Sequence, residues 1–162
     1  MISIITPSDW ITALAGMTSK QIPVVLVMFV FLTGCSGTMP DLGVNNNELA
    51  PCPKTPNCVS SQAQDKKHFI EPINFAGTQQ EAHDRLFQII ESEKRTKIVT
   101  DQKDYIRVEF ISALFRFVDD VEFYFPTEKA GETVIHTRSA SRVGSSDFGV
   151  NRKRIERIRS KF

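Results

Sequence analysis

An α+β domain is what the 162-residue sequence predicts: an antiparallel sheet of about four to five strands, with one helix before it and a basic helix after it. Three observations carry that expectation. A capping box followed by helically spaced apolar residues occupies the first half of the ordered part. Several stretches with a period of two follow it. A run of basic residues wrapped around an isoleucine stripe closes the chain.

The elements follow in order. His68 to Phe75 reads as a first strand, pushed towards a sheet edge by Pro72, which has no N–H to donate. Thr78 caps a helix and Glu81 completes the capping box; Ala82, Leu86, Phe87, Ile89 and Ile90 then keep helical spacing to about Glu93. Thr96–Thr100 is short and β-branched. From Asp104 to Ile111, Ile106, Val108 and Phe110 alternate with Tyr105, Arg107 and Glu109, and from Asp120 to Phe125, Val121, Phe123 and Phe125 alternate with Asp120, Glu122 and Tyr124. Pro126 to Gly131 is a polar turn. Thr133–Ala140 is the next strand; if Ile135 faces the core, His136 and Arg138 face away from it, and if Val134 does, they point inward. Asn151 to Phe162 places Ile155, Ile158 and Phe162 on one face of a helix.

Ahead of this domain stands Leu32-Thr33-Gly34-Cys35, behind Lys20 and the uncharged apolar run Ile22–Phe31. That is the layout of a bacterial lipoprotein export signal, and the run is shorter than the ~20 residues a permanent span needs. Residues 1–34 are thus expected to be removed, with Met17 a better start than Met1, and Cys35 to carry lipid. Residues 35–50, rich in Gly, Asn and small residues, are expected to tether the domain of residues 51–162. The protein is expected in the bacterial cell envelope, on the periplasmic face of the outer membrane, since Ser36 rather than Asp follows the cysteine. Cys52 and Cys58 remain as an even pair. A disulfide is the default in an oxidising compartment; free thiols, or a metal site helped by His68, are the alternatives.

The formal net charge of +1 excludes a general nucleic-acid binder. The distribution is uneven. Residues 101–132 carry eight acidic and four basic groups, a net −4, and residues 138–161 carry eight basic and two acidic groups, a net +6. Two outcomes fit: the segments pair internally, or a basic surface meets an anionic partner. One candidate cluster lies on the polar sheet face, which carries Arg107, Glu109, Glu122 and Tyr124, joined by His136 and Arg138 if Ile135 faces the core; it forms either an acid–base site or a solvated face laced with ion pairs. Asp119 and Asp120, if both lie in regular strand, point to opposite faces and suit arginine partners such as Arg138 or Arg142 better than a metal. A second candidate cluster is Arg138, Ser139, Ser141, Arg142, Asp147, Asn151 and Arg152: small hydrogen-bonding residues and arginines leading into a helix, fit for an anion or for an internal arginine clamp. Asp147 is also placed to cap that helix. No Gly-x-Ser-x-Gly elbow, nucleotide loop or metal-ligand spacing is present, so no catalytic residue, cofactor or metal is assigned.

The segments Cys52–Ser61, Phe115–Phe123, Ile135–Gly144 and Ser146–Glu156 together resemble the motifs of the domain-of-unknown-function family numbered 1499. The resemblance spans nearly all of residues 51–162 and implies a single domain there, with no established activity to carry over. The expectation is a membrane-tethered lipoprotein acting as a non-catalytic binding or interaction module, for a small anionic ligand or an envelope protein. The alternative is an enzyme with its site on the polar sheet face.

Overall fold

The computed structural model describes residues 37–126 and 131–162. The export signal, Cys35 and most of the Pro126–Gly131 turn lie outside the described residues. Eight strands and two helices follow in the order β1 (Val44–Asn45), β2 (Glu48–Leu49), β3 (Cys58–Ser60), β4 (Ile73–Ala76), α1 (Gln79–Glu91), β5 (Thr96–Gln102), β6 (Tyr105–Ile111), β7 (Val118–Tyr124), β8 (Glu132–Ser141) and α2 (Val150–Arg159). The main sheet runs β3-β8-β7-β6-β5, all antiparallel. The ten-residue β8 also pairs with β4 along its first half and with β3 near its end. The fold is α+β, with more strands than the four to five expected.

Both helices form where the sequence places them. Thr78 accepts from the Glu81 N–H while the Glu81 carboxylate accepts from the Thr78 N–H, closing the capping box. Ala82, Leu86, Ile89 and Ile90 face inward from α1, and Ile155 and Ile158 from α2. They meet Ile106, Val108 and Phe110 of β6, Val121 and Phe123 of β7 and Ile135 of β8, so the alternating apolar set forms one core between sheet and helices. Phe162 packs at its margin. Ile135 faces this core, which turns His136 and Arg138 to the other face.

Three elements differ from the sequence reading. The first strand covers only Ile73–Ala76, because Pro72 delays pairing; Phe69 makes a single parallel bridge to Ser60. The cysteine loop contains β3, which is too short to show a period. The stretch read as a tether folds back on itself at Val44–Leu49. Asn46 and Asn47 take φ of 51° and 63° between the paired residues Asn45 and Glu48. Two central residues in the left-handed region, at positions where Asn is tolerated, make a tight hairpin turn out of what composition suggests is linker. The hairpin buries Leu49 against Tyr105 and Tyr124. Among the described residues, no helix is long and apolar enough to cross a membrane.

Candidate functional site

Pairing register brings the charged residues of three strands together on the sheet face opposite the helices. Arg107 lies opposite Glu122, Glu109 opposite Asp120, and Glu122 opposite Arg138. The face is not solvated: Arg107, Glu109, Asp120, Glu122 and Arg138 are all buried, Glu122 completely. Burial of so many charges requires internal pairing, and each charged group of the face has a partner of opposite sign, although Arg138 Nε is buried without a hydrogen-bond partner. Arg107 Nη2 donates to Asp120 Oδ1 at 2.8 Å. Arg142 reaches across two strands, with Nε 2.7 Å from Asp120 Oδ2 and Nη2 2.6 Å from Glu109 Oε1. Arg138 Nη1 donates to Glu122 Oε2 at 2.9 Å, and the Tyr105 hydroxyl to Glu122 Oε1 at 2.8 Å. Three arginines therefore balance three carboxylates.

The environments of the two central acids diverge. Burial would raise Asp120, but hydrogen bonds from Arg142 and Arg107 outweigh it and hold the carboxyl below its usual range. Burial pushes Glu122 up despite Arg138 and Tyr105, and burial and the Glu122 carboxylate together push the Tyr105 phenol up. Asp120 thus contributes stability that is present above its unfolded pKa of about 4 and lost as pH falls through the lower folded value. Glu122 has the opposite sign: its contribution is present at low pH and lost as pH rises through its raised folded pKa. Replacing Asp120 with Asn should lower stability at neutral pH and flatten the loss of stability below about pH 4. Urea titrations across pH 2–7 measure this, and an unchanged acid limb would refute the role given to Asp120.

His136 joins this face at its margin. Burial lowers its pKa, its ring stacks on Tyr124 at 6.3 Å, and Nδ1 lies 3.2 Å from Ser61 Oγ. Ser61, a residue the sequence reading passed over, accepts from the Thr137 N–H at 2.9 Å, and its own N–H donates to the Thr137 carbonyl. The contact is a fastening between the cysteine segment and β8. Among the described residues no acid is hydrogen-bonded to the ring, the third member that nucleophilic chemistry uses.

The helix-entry residues gather on the opposite face. Asp119, one residue from Asp120, points towards α2, as strand alternation requires, and accepts from Arg154 Nη2 at 2.5 Å. Arg154 also donates to Ser139 Oγ and Asn151 Oδ1, and its guanidinium stands 4.7 Å over the Phe110 ring. Fully buried Asn151 donates to the Asn57 carbonyl at 3.1 Å and to Ser141 Oγ at 3.0 Å. The Asp147 carboxylate accepts from the Asn151 and Gly149 N–H groups, capping α2 across Gly149, whose φ of 76° a side chain would resist. Arg152 donates to the Lys67 carbonyl. Arg138, Arg142 and Arg154 are thus taken up by carboxylates, and the helix start by Asp147. The cluster is arranged as an internal clamp rather than as an open anion cradle. Among the described residues, no group of His, Cys, Asp and Glu is placed to hold a metal.

Cys52 and Cys58 are joined in a disulfide. His68 fastens the loop they close, with Nε2 3.0 Å from the Thr55 carbonyl and Nδ1 2.9 Å from Asp65, whose carboxyl the His68 contact lowers. The thiols and the ring are therefore engaged in structure rather than in a metal site. For so short a loop, the chain-entropy effect is about 2–3 kcal/mol. Cys52→Ser/Cys58→Ser should lower unfolding free energy by that amount, and no change would show that the two prolines of the loop already impose its shape.

Basic charge remains uncompensated elsewhere. A cleft of about 490 Å³ opens between the ends of α1 and α2 and the β6–β7 edge. Lys94, Arg95, Arg154, Arg157 and Lys161 line it against only Glu93 and Asp119, a net +3. Glu93 is held low by Arg157, with Lys161 adding to the effect. Lys94 and Arg95 had no place in the sequence reading, because they lie 55 positions or more from their cleft partners on α2 and show no periodicity.

No curated protein matches the chain. The model of the family described as a protein of unknown function, DUF1499, matches residues 48–162, from the second strand of the hairpin to the last residue. The matched span takes in the disulfide loop, both arginine–carboxylate clusters and both helices, and the chain belongs to the DUF1499 family.

Proposed function

We propose that the protein is a lipid-anchored lipoprotein of the bacterial cell envelope, on the periplasmic face of the outer membrane, whose domain is a non-catalytic binding module. The observation that carries the reading is the Leu32-Thr33-Gly34-Cys35 sequence behind its apolar run. The Cys52–Cys58 disulfide supports an oxidising compartment. The binding role is supported by where charge is spent: the acids and arginines of the sheet face engage one another, Arg154, Arg157 and Lys161 of the cleft engage Asp119 and Glu93, and the cleft cations left without a carboxylate among the described residues are Lys94 and Arg95.

Metabolic labelling with a fatty acid tests the anchor. Wild-type protein should incorporate label and sediment with membranes, and Cys35→Ser should do neither. Equal labelling of the variant overturns the proposal.

A further inference from the structure

Five large apolar side chains stand in solvent at one end of the sheet. Leu114, Phe115 and Phe117 of the β6–β7 loop are 79%, 62% and 41% exposed, and Phe148 just before α2 and Val150 at its start are 90% and 47% exposed. The loops are neighbours: Val150 lines the basic cleft together with Ser112, and the Arg142 N–H donates to the Val118 carbonyl. Phe115 and Phe117 stack at 5.5 Å around Arg116, whose φ is 58°. Phe148 also has positive φ, 53°, an unusual conformation for a bulky residue, and the Asp147 turn holds it outward. A soluble surface gains nothing from such a side chain left almost wholly in water, so the tip has the character of a contact surface.

The chain's own N-terminus indicates what it contacts. The backbone at Gly37 runs so close to Arg142 and Val143 that a Cβ there would fall 2.9 Å from Arg142 Cβ. Cys35 is two residues away, within about 8 Å along the chain. The lipid of the proposed anchor therefore leaves the domain at the end that carries the apolar tip. The same end carries Arg116, whose side chain has no acidic partner among the described residues, and the net +3 cleft.

We infer that this tip is a membrane-contact surface: Leu114, Phe115, Phe117 and Phe148 enter the headgroup region of an anionic bilayer while Arg116 and, at the mouth of the cleft, Lys94 and Arg95 meet its phosphates. The inference rests on the anchor proposed above. It turns a domain on a loose tether into one held in a fixed orientation.

Depth-dependent quenching tests it. Trp10, the chain's one tryptophan, lies in the segment expected to be removed, so introduced tryptophans report without background. Phe148→Trp and Leu114→Trp would be compared with Val44→Trp. Val44 is in the hairpin that packs at the Tyr124 end of β7, some six residues and about 20 Å along the strand from Val118. Full-length protein, processed and lipidated in cells, is reconstituted in vesicles with brominated acyl chains, of phosphatidylcholine alone or with phosphatidylglycerol. The first two reporters should lose about half their emission in the anionic vesicles and the third little. A mature N-terminal peptide lacking acyl mass overturns the anchor and this inference with it. An acylated protein whose tip reporters stay unquenched, or respond like Val44→Trp, overturns this inference alone. So does a blue shift of the tip reporters that appears with rising protein concentration and no vesicles, which would assign the surface to a second copy of the chain. Equal quenching in both vesicle types overturns the requirement for anionic lipid.

Discussion

Replacing Arg142 with alanine should destabilise the domain by about 3–5 kcal/mol, the cost of stranding buried charge. Its guanidinium makes three hydrogen bonds to Asp120 and Glu109. With it gone, Asp120 keeps Arg107, but buried Glu109 keeps, among the described residues, only Lys97 at 3.9 Å. The charge balance of the face supplies a second test. Arg142→Met combined with Glu109→Leu removes one charge of each sign and leaves the Arg107–Asp120 and Arg138–Glu122 pairs intact, so it should recover most of the loss. Guanidinium unfolding with a shared m-value measures both. A loss below about 1 kcal/mol for Arg142→Ala, in the range of a surface pair, would mean that this face is wetted in solution.

Arg154→Ala should be comparably damaging, about 3–5 kcal/mol, and for a related reason on the other face. Asp119 has Arg154 as its only ion-pair partner among the described residues, and the same guanidinium supports Ser139, Asn151 and the Phe110 ring. Burial works against the charge of Arg154 and holds its pKa below the usual value, and Asp119 offsets part of that cost. Arg154→Lys keeps a charge but lacks the planar fork that reaches carboxylate, amide and hydroxyl together, so it should fall between alanine and wild type. Arg154→Ala with Asp119→Asn should be less damaging than Arg154→Ala alone, because no buried carboxylate is then left unpaired. Equal melting temperatures for the single and double variants would show that the loss arises from the Ser139–Asn151 contacts and not from Asp119.

The two variants bear on how the family motifs are built. Ser139, Ser141, Arg142, Asp147 and Asn151 read in sequence like parts of a binding loop, since they are polar and lead into a helix start, whereas Asn57, Asp119 and Asp120 lie in other segments. In the folded domain they fasten the disulfide loop, β7, β8 and α2 to one another. The bond from Asn151 to the Asn57 carbonyl spans 94 positions of chain.

Much of the architecture was legible because it depends on local spacing. Alternation of Ile106, Val108 and Phe110, the Thr78–Glu81 capping box and the Ile155–Ile158 stripe each follow from geometry that recurs within a few residues. The cysteine pairing and the opposite facing of Asp119 and Asp120 belong to the same class. The Val44–Leu49 hairpin was not legible, because its strands are two residues long and its turn is written in asparagines that equally suit a linker. Nor was the burial of the second sheet face. Alternation says which side chains share a face and says nothing of whether water reaches it. By itself, therefore, the sequence determined both helices, the long strands and the core-facing residues of β6 and β7, and made the disulfide the default. Which carboxylate each arginine takes, and that the cations left over line one cleft beside the apolar tip, was decided only by tertiary structure. A hydrogen-bonded ion pair forms over about 3 Å, and strand register and helix packing alone bring residues distant in the chain that close.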